Sequence, residues 1–207
     1  MVMRDRDVRL VLHRRLDAQH QGDPGTRILH ELGLRHGTRR VDIAVVNGSL
    51  HGYEIKSDSD TLNRLPGQVE TYAAVLDYAT LVVGERLAGH ARKKLPKWWG
   101  VEVASINATG CISLQPSRSA GFNPKINPIA LAELLWRSEA IELLAGLGVS
   151  PKILRMPRAT LYRELAFNLR LDELREAVRS KLKMRTAWRD RTQPSSHAGS
   201  SQPIPKC

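Results

Sequence analysis

Cysteine is nearly absent from this chain. Cys111 and Cys207 are the two in 207 residues, too few for a disulfide framework or a zinc cluster. Aromatic residues make up 5%, which argues against a stacking platform of the kind that holds single strands along a surface. No apolar run approaches the roughly 20 residues of a membrane span, and Met1-Val2-Met3-Arg4-Asp5 does not open a signal peptide. A soluble, cytoplasmic protein with no membrane partner is the expectation. Acidic residues are scarce beside basic ones, 21 against 32, for a net charge of +11. That excess favours a polyanionic partner such as nucleic acid, although ribosomal or membrane-surface association fits the same number.

What is present is concentrated between Arg40 and Lys56. Two alternating runs, Val41-Asp42-Ile43-Ala44-Val45-Val46 and Leu50-His51-Gly52-Tyr53-Glu54-Ile55-Lys56, flank Asn47-Gly48, a strong β-hairpin signal. Side chains alternate along a strand, so Glu54 and Lys56 share a face and Ile55 takes the other. A two-residue turn would set Asp42 beside Tyr53 and part the two carboxylates. A three-residue loop with Gly48 in the left-handed bulge position puts Asp42 with Gly52, Glu54 and Lys56, and Val41, Ile43, Val45, Tyr53 and Ile55 on the other side. Only the second register buries the large apolar residues together, and it is the one expected.

Two carboxylates and an ammonium on one sheet face suit Mg²⁺ (or Mn²⁺), which takes one or two carboxylates, waters and phosphate oxygens. Such an ion activates water and stabilises a phosphoryl transition state, with Asp42 and Glu54 as ligands and Lys56 orienting the water. The bland alternative is an exposed salt-bridged hairpin, worth at most about 1 kcal/mol. Upstream, Thr26–Leu34 reads as a strand whose pairing sets Glu31 opposite Asp42, a candidate third metal ligand. Downstream, Pro66 starts a helix on which Gln68 and Tyr72, four apart, share a face. Asp58 and Asp60 read as turn and cap residues. Ala79–Gly84 is an apolar run consistent with a strand covered on both faces.

Asp42, Glu54-Ile55-Lys56 and Gln68-X-X-X-Tyr72, in this order, resemble the motif set of the PD-(D/E)XK nuclease superfamily, in its RecB-like branch. The wider phrase from Glu31-Leu32-Gly33-Leu34 to Ser57-Asp58 is similar to a family of small bacterial proteins assigned to that superfamily. The resemblance implies a restriction-endonuclease-like α/β core: helix, three-stranded antiparallel meander, helix, strand. It also implies a metal-dependent hydrolase cutting phosphodiester bonds, with DNA as substrate. Catalytic residues would be Asp42, Glu54, Lys56, Gln68 and Tyr72, with Asp42, Glu54, Glu31 and the Ile55 carbonyl on the metal. The superfamily often adds an acid from its first helix, and here only Asp17 stands mid-helix. The alternative is a nucleic-acid-binding protein that keeps the fold without the catalysis.

Domain limits follow from composition: a core over 1–115, a linker over 116–127, a basic helical domain over 128–191 and a disordered tail over 192–207. Trp98 and Trp99 read as lids on the core. Helices are expected over Pro128–Leu147, Arg158–Arg170 and Leu171–Arg189. Between Lys152 and Arg191 cations outnumber acids twelve to five. A basic helical bundle of this kind, a helix-turn-helix variant among the options, suits duplex DNA. Arg64, Arg158, Arg163, Lys181, Lys183 and Arg185 are the candidate backbone contacts, and the arrangement is compatible with a dimer.

Overall fold

The computed structural model describes residues 3–185; the expected tail over 192–207 and the end of the basic segment lie outside them. The chain runs α1 (Asp5–Gln19), β1 (Arg27–Leu34), β2 (Arg39–Val46), β3 (Leu50–Lys56), α2 (Leu65–Ala73), β4 (Tyr78–Gly84), α3 (Glu85–Lys94), β5 (Gly100–Ile106) and β6 (Ile112–Arg118). Five helices follow: α4 (Pro128–Ala132), α5 (Arg137–Gly146), α6 (Pro151–Leu154), α7 (Arg158–Asn168) and α8 (Leu171–Met184). The six strands form one mixed sheet in sequential order. β1, β2 and β3 pair antiparallel, β3, β4 and β5 parallel, and β6 returns antiparallel to β5. The fold is therefore α/β. The parallel pairs need crossovers, which α2 and α3 supply.

The two sheet faces carry separate cores. Val8, Leu12 and Leu16 of α1 cover Ile43, Val45, Tyr53, Ile55 and Val82 on one side. On the other, Leu29, Leu32, Val41, Ala44, Leu50 and Leu81 pack with α2 and with Leu131, Leu144, Leu161, Leu165, Leu174, Val178 and Leu182 from α4–α8. Burying a Leu side chain contributes roughly 1.5–3 kcal/mol, so each layer supports the next. β4 lies between them and is buried from Ala79 to Gly84, as a two-sided apolar strand should be. At Gly52 the layers meet closely, since a Cβ there would lie 2.5 Å from Leu76 Cδ1.

The hairpin register is the expected one: Ile43 pairs with Tyr53 and Val46 with Leu50 across Asn47, Gly48 and Ser49. Its closure differs. Gly48 is not left-handed; the Asn47 side chain accepts from the Ser49 N–H at 3.0 Å and does the work instead. Val41 also sits on the opposite face from Ile43 and Val45. The cause is a break shared by two strands. Glu31 and Asp42 drop out of the ladder between His30–Ile43 and Leu32–Val41, with Glu31 at φ 54°. Both strands switch faces there. A left-handed non-glycine residue costs roughly 1–2 kcal/mol, so Glu31 is held by what it binds.

In the second half, Pro128–Leu147 is two helices rather than one. The chain turns at Glu133–Trp136, and Glu139 restarts it by accepting the Trp136 N–H at 2.7 Å. The stretch expected as a linker is bound to the sheet layer. β6 runs on to Arg118, and the buried Asn123 amide donates to the Ala73 and Leu76 carbonyls at 2.7 and 2.8 Å. Helix α3, which the sequence reading left out, buries Ala91 and displays Arg92, Lys93 and Lys94.

Candidate functional site

The sheet break opens a cleft of about 290 Å³ between β2, β3 and the start of α2, lined by Asp42, Glu54, Lys56 and Gln68 and rimmed by Arg39, Arg40 and Arg64. The expected residues thus converge. How they are partnered differs from the expectation.

Asp42 is matched on both oxygens. Its Oδ2 accepts from the Ile55 N–H at 2.8 Å, standing in for a ladder carbonyl, and its Oδ1 accepts from Arg9 Nη2 at 2.7 Å. Arg9 Nη1 donates to the Asp42 carbonyl and to Glu31 Oε1, both at 3.0 Å. One guanidinium from α1 therefore bridges the two acids that the broken ladder brings face to face. Burial works against its charge, but Asp42 and then Asp5 hold the Arg9 pKa above its ordinary value.

Glu54 is buried and fully engaged. Lys56 Nζ and Gln68 Nε2 donate to its Oε1, and the Tyr72 hydroxyl to its Oε2. Burial first, then the charge of Asp42, raises the Glu54 pKa, only partly offset by Lys56. Burial and Glu54 push the Tyr72 phenol well up. Tyr72 also reaches the Arg40 carbonyl at 2.8 Å and stacks on buried Trp99 at 5.6 Å, which places Trp99 in the core as expected. The Ile55 carbonyl, expected to face a metal, accepts from Lys56 Nζ at 3.3 Å.

In this arrangement the candidate Mg²⁺ ligands are engaged within the protein. Every carboxylate oxygen of Asp42 and Glu54 already accepts from a protein donor, and Arg9 bridges Asp42 and Glu31, where a shared cation would sit. Among the described residues, no group of three or more His, Cys, Asp or Glu is placed to hold a metal ion. Asp17 is not near the cleft set; it pairs with His13 at 2.6 Å, and the α1 acid lining the cleft is Asp5. Arg9 is the residue that sequence reasoning missed. Its signal was the Asp5–Arg9 spacing of four on the α1 face turned to the sheet.

The candidate backbone contacts divide. Arg64 is exposed on the cleft rim, and Arg158 and Arg163 are exposed on α7. Lys183 is half-buried, and Lys181 pairs with Glu142 at 2.7 Å. Arg185 is no surface contact: it is 5% exposed and clasps Glu139 through Nε at 2.8 Å and Nη2 at 2.6 Å. Arg175 and Arg179 close on buried Asp77 at 3.1 and 3.6 Å. Much of the basic excess on α8 is spent inside the fold. Asp60 caps its turn through the Ser57 N–H at 2.7 Å, and Asp58 accepts from the Arg86 N–H at the start of α3 at 3.1 Å.

A family model described as bacteriophage P4 protein cII matches residues 5–196. The chain belongs to the bacteriophage P4 cII protein family. Protein cII of Enterobacteria phage P4 is 28% identical over 189 residues, covering 89% of this chain and 68% of that protein. No solved structure matches. Membership of the cII family overturns the PD-(D/E)XK assignment, and with it the nuclease, hydrolase and enzyme expectations. The nuclease resemblance rested on Asp42, Glu54, Lys56, Gln68 and Tyr72 and the phrase around them, whereas the cII family model matches residues 5–196. The carboxylates that suggested catalysis instead lie in a cleft of a cII-family protein where Arg9 and Lys56 neutralise them. No helix among the described residues is long and apolar enough to cross a membrane.

Proposed function

We propose that this cII-family protein acts by binding nucleic acid, with the backbone of duplex DNA at the cleft rim, and performs no chemistry on it. One observation carries the reading. The acids on the cleft floor are already matched by Arg9 and Lys56, while Arg39 and Arg64 stand exposed on its rim without an ion pair among the described residues. Arg40, whose side chain is 59% exposed, makes a single long ion pair among the described residues, 3.9 Å to Glu31. A net charge of +11 supplies the long-range attraction for the same partner. In this reading the helix, meander, helix and parallel strand keep the order of a restriction-endonuclease-like core as a scaffold, and a nucleic-acid partner places the protein in the cytoplasm.

The test is duplex DNA affinity against salt concentration for the wild type and for Arg39→Ala, Arg40→Ala and Arg64→Ala. Each lost phosphate contact should lower the slope of log K on log salt by about 0.9 and weaken binding across all sequences. Binding with an unchanged slope in the triple variant would remove the cleft from the interface.

A further inference from the structure

A second cleft, of about 320 Å³, lies away from the carboxylates where the β1–β2 turn meets α4, α5 and α7. His36, Glu133, Trp136, Arg137, Arg158 and Tyr162 line it. We propose that it binds a nucleotide, with the base stacked on Trp136 and the phosphate met by Arg158. The inference rests on the nucleic-acid reading for the source of that nucleotide, and on this geometry for the site.

Trp136 is 48% exposed, yet it is not loose. The Arg185 guanidinium lies over its ring at 4.4 Å, and Arg185 is itself locked by Glu139 and by the Leu134 carbonyl at 2.7 Å. A buried ion pair thus orients an exposed indole. A ring held in this way offers a planar ligand its free surface at little entropic cost. Arg158 is exposed beside it and makes no ion pair among the described residues. Arg137 is held near it by the Leu154 and Met156 carbonyls, at 3.4 and 3.3 Å. Glu133 can accept from an exocyclic base amine, so the cleft contains partners for both the base and the phosphate of a nucleotide.

The opposite wall is strained. Arg35, His36 and Gly37 are all left-handed, at φ 46°, 56° and 87°. The turn places His36 against Tyr162, with ring centroids 5.9 Å apart, and Nε2 3.9 Å from Glu133. Non-glycine residues persist in this conformation where their surroundings over-determine it, a situation common at binding sites.

Two sources can supply a nucleotide, so the experiment has two arms on the full chain. Calorimetry follows adenosine monophosphate and adenosine; fluorescence anisotropy follows a duplex with one bulged adenosine and the same duplex with an abasic bulge. Trp136→Ala should weaken adenosine monophosphate, or erase the preference for the bulged base, by about fivefold or more, and Trp136→Phe should retain most of it. Arg158→Ala, on an exposed position, should reduce the preference for the monophosphate over adenosine by about tenfold. Binding in the first arm alone identifies a free nucleotide, and in the second alone an unpaired residue of a strand. If folded Trp136→Ala and Arg158→Ala match the wild type in both arms, the site is overturned. Tight duplex binding with no base-dependent gain and no binding of adenosine monophosphate would overturn this site and leave the cleft-rim reading intact; adenosine monophosphate binding without duplex binding would do the reverse.

Discussion

Arg9 and Asp42 are joined twice: the Arg9 guanidinium donates to the Asp42 carboxylate at 2.7 Å and to its main-chain carbonyl at 3.0 Å. The pair ties α1 to the one point where β1 and β2 leave their ladder. It also neutralises the acid that would otherwise face Glu31 and Glu54 across the cleft.

Removing Arg9 should therefore cost more than a surface pair does. Both side chains are partly buried, 25% and 19% exposed, and Arg9→Ala leaves Asp42 without a cation and Glu31 with the 3.9 Å contact to Arg40. Urea unfolding should show a loss of roughly 2–4 kcal/mol, with part of it recovered in Arg9→Met with Asp42→Asn. An Arg9→Ala loss below about 0.5 kcal/mol would show that solvent already screens the pair.

Magnesium should stabilise the wild type little. With Arg9 paired to Asp42 and Lys56 to Glu54, a metal must compete with cations already in place. A site with a dissociation constant well above the metal concentration shifts stability by only about RT times the ratio of metal concentration to that constant. A thermal melt at millimolar Mg²⁺ should match one with chelator. A rise of several degrees that vanishes in Asp42→Asn would reveal a metal site.

His51 should make the fold acid-sensitive. Burial lowers its pKa from 6.5 to about 4, and its Nε2 lies 2.9 Å from Thr80 Oγ1. Between those values the unfolded chain binds the proton more tightly, so stability falls as pH drops from 6.5 toward 4. His51→Gln should flatten this part of the profile, by about 3 kcal/mol at pH 4. Glu54, with its raised pKa, contributes the opposite slope above its usual value, so the difference between variant and wild type is the readout. Parallel profiles would exclude His51 as the source.

A fragment ending at Gln115 should not fold cooperatively. It would lose the outer half of β6, the Asn123 clamp on α2, and Leu131, Leu144, Leu161 and Leu174, which cover the same sheet face as Leu29 and Val41. A sharp urea transition in the fragment would restore the boundary expected from composition.

The alternation of apolar residues determined the strands and their registers, because side chains on a strand have a period of two and burying one row leaves few pairings. That logic set Ile43 opposite Tyr53 and put Glu54 and Lys56 on one face, while loop length set Glu31 opposite Asp42 and helical spacing put Gln68 and Tyr72 on one face of α2. It carried no information on the break at Glu31, where a left-handed residue turns Val41 to the other face. Composition likewise showed the basic excess of the last helices, but not that Arg175, Arg179 and Arg185 would close on Asp77 and Glu139. Which cation meets which acid is a long-range matter. Arg9 lies 33 positions from Asp42 and Arg185 lies 46 from Glu139, and only the packing of α1 and α8 on the sheet brings each guanidinium within reach of its acid. The same carboxylates read as metal ligands in one dimension and as partners of buried cations in three, because a carboxylate taken out of water requires a positive partner and the chain supplies its own.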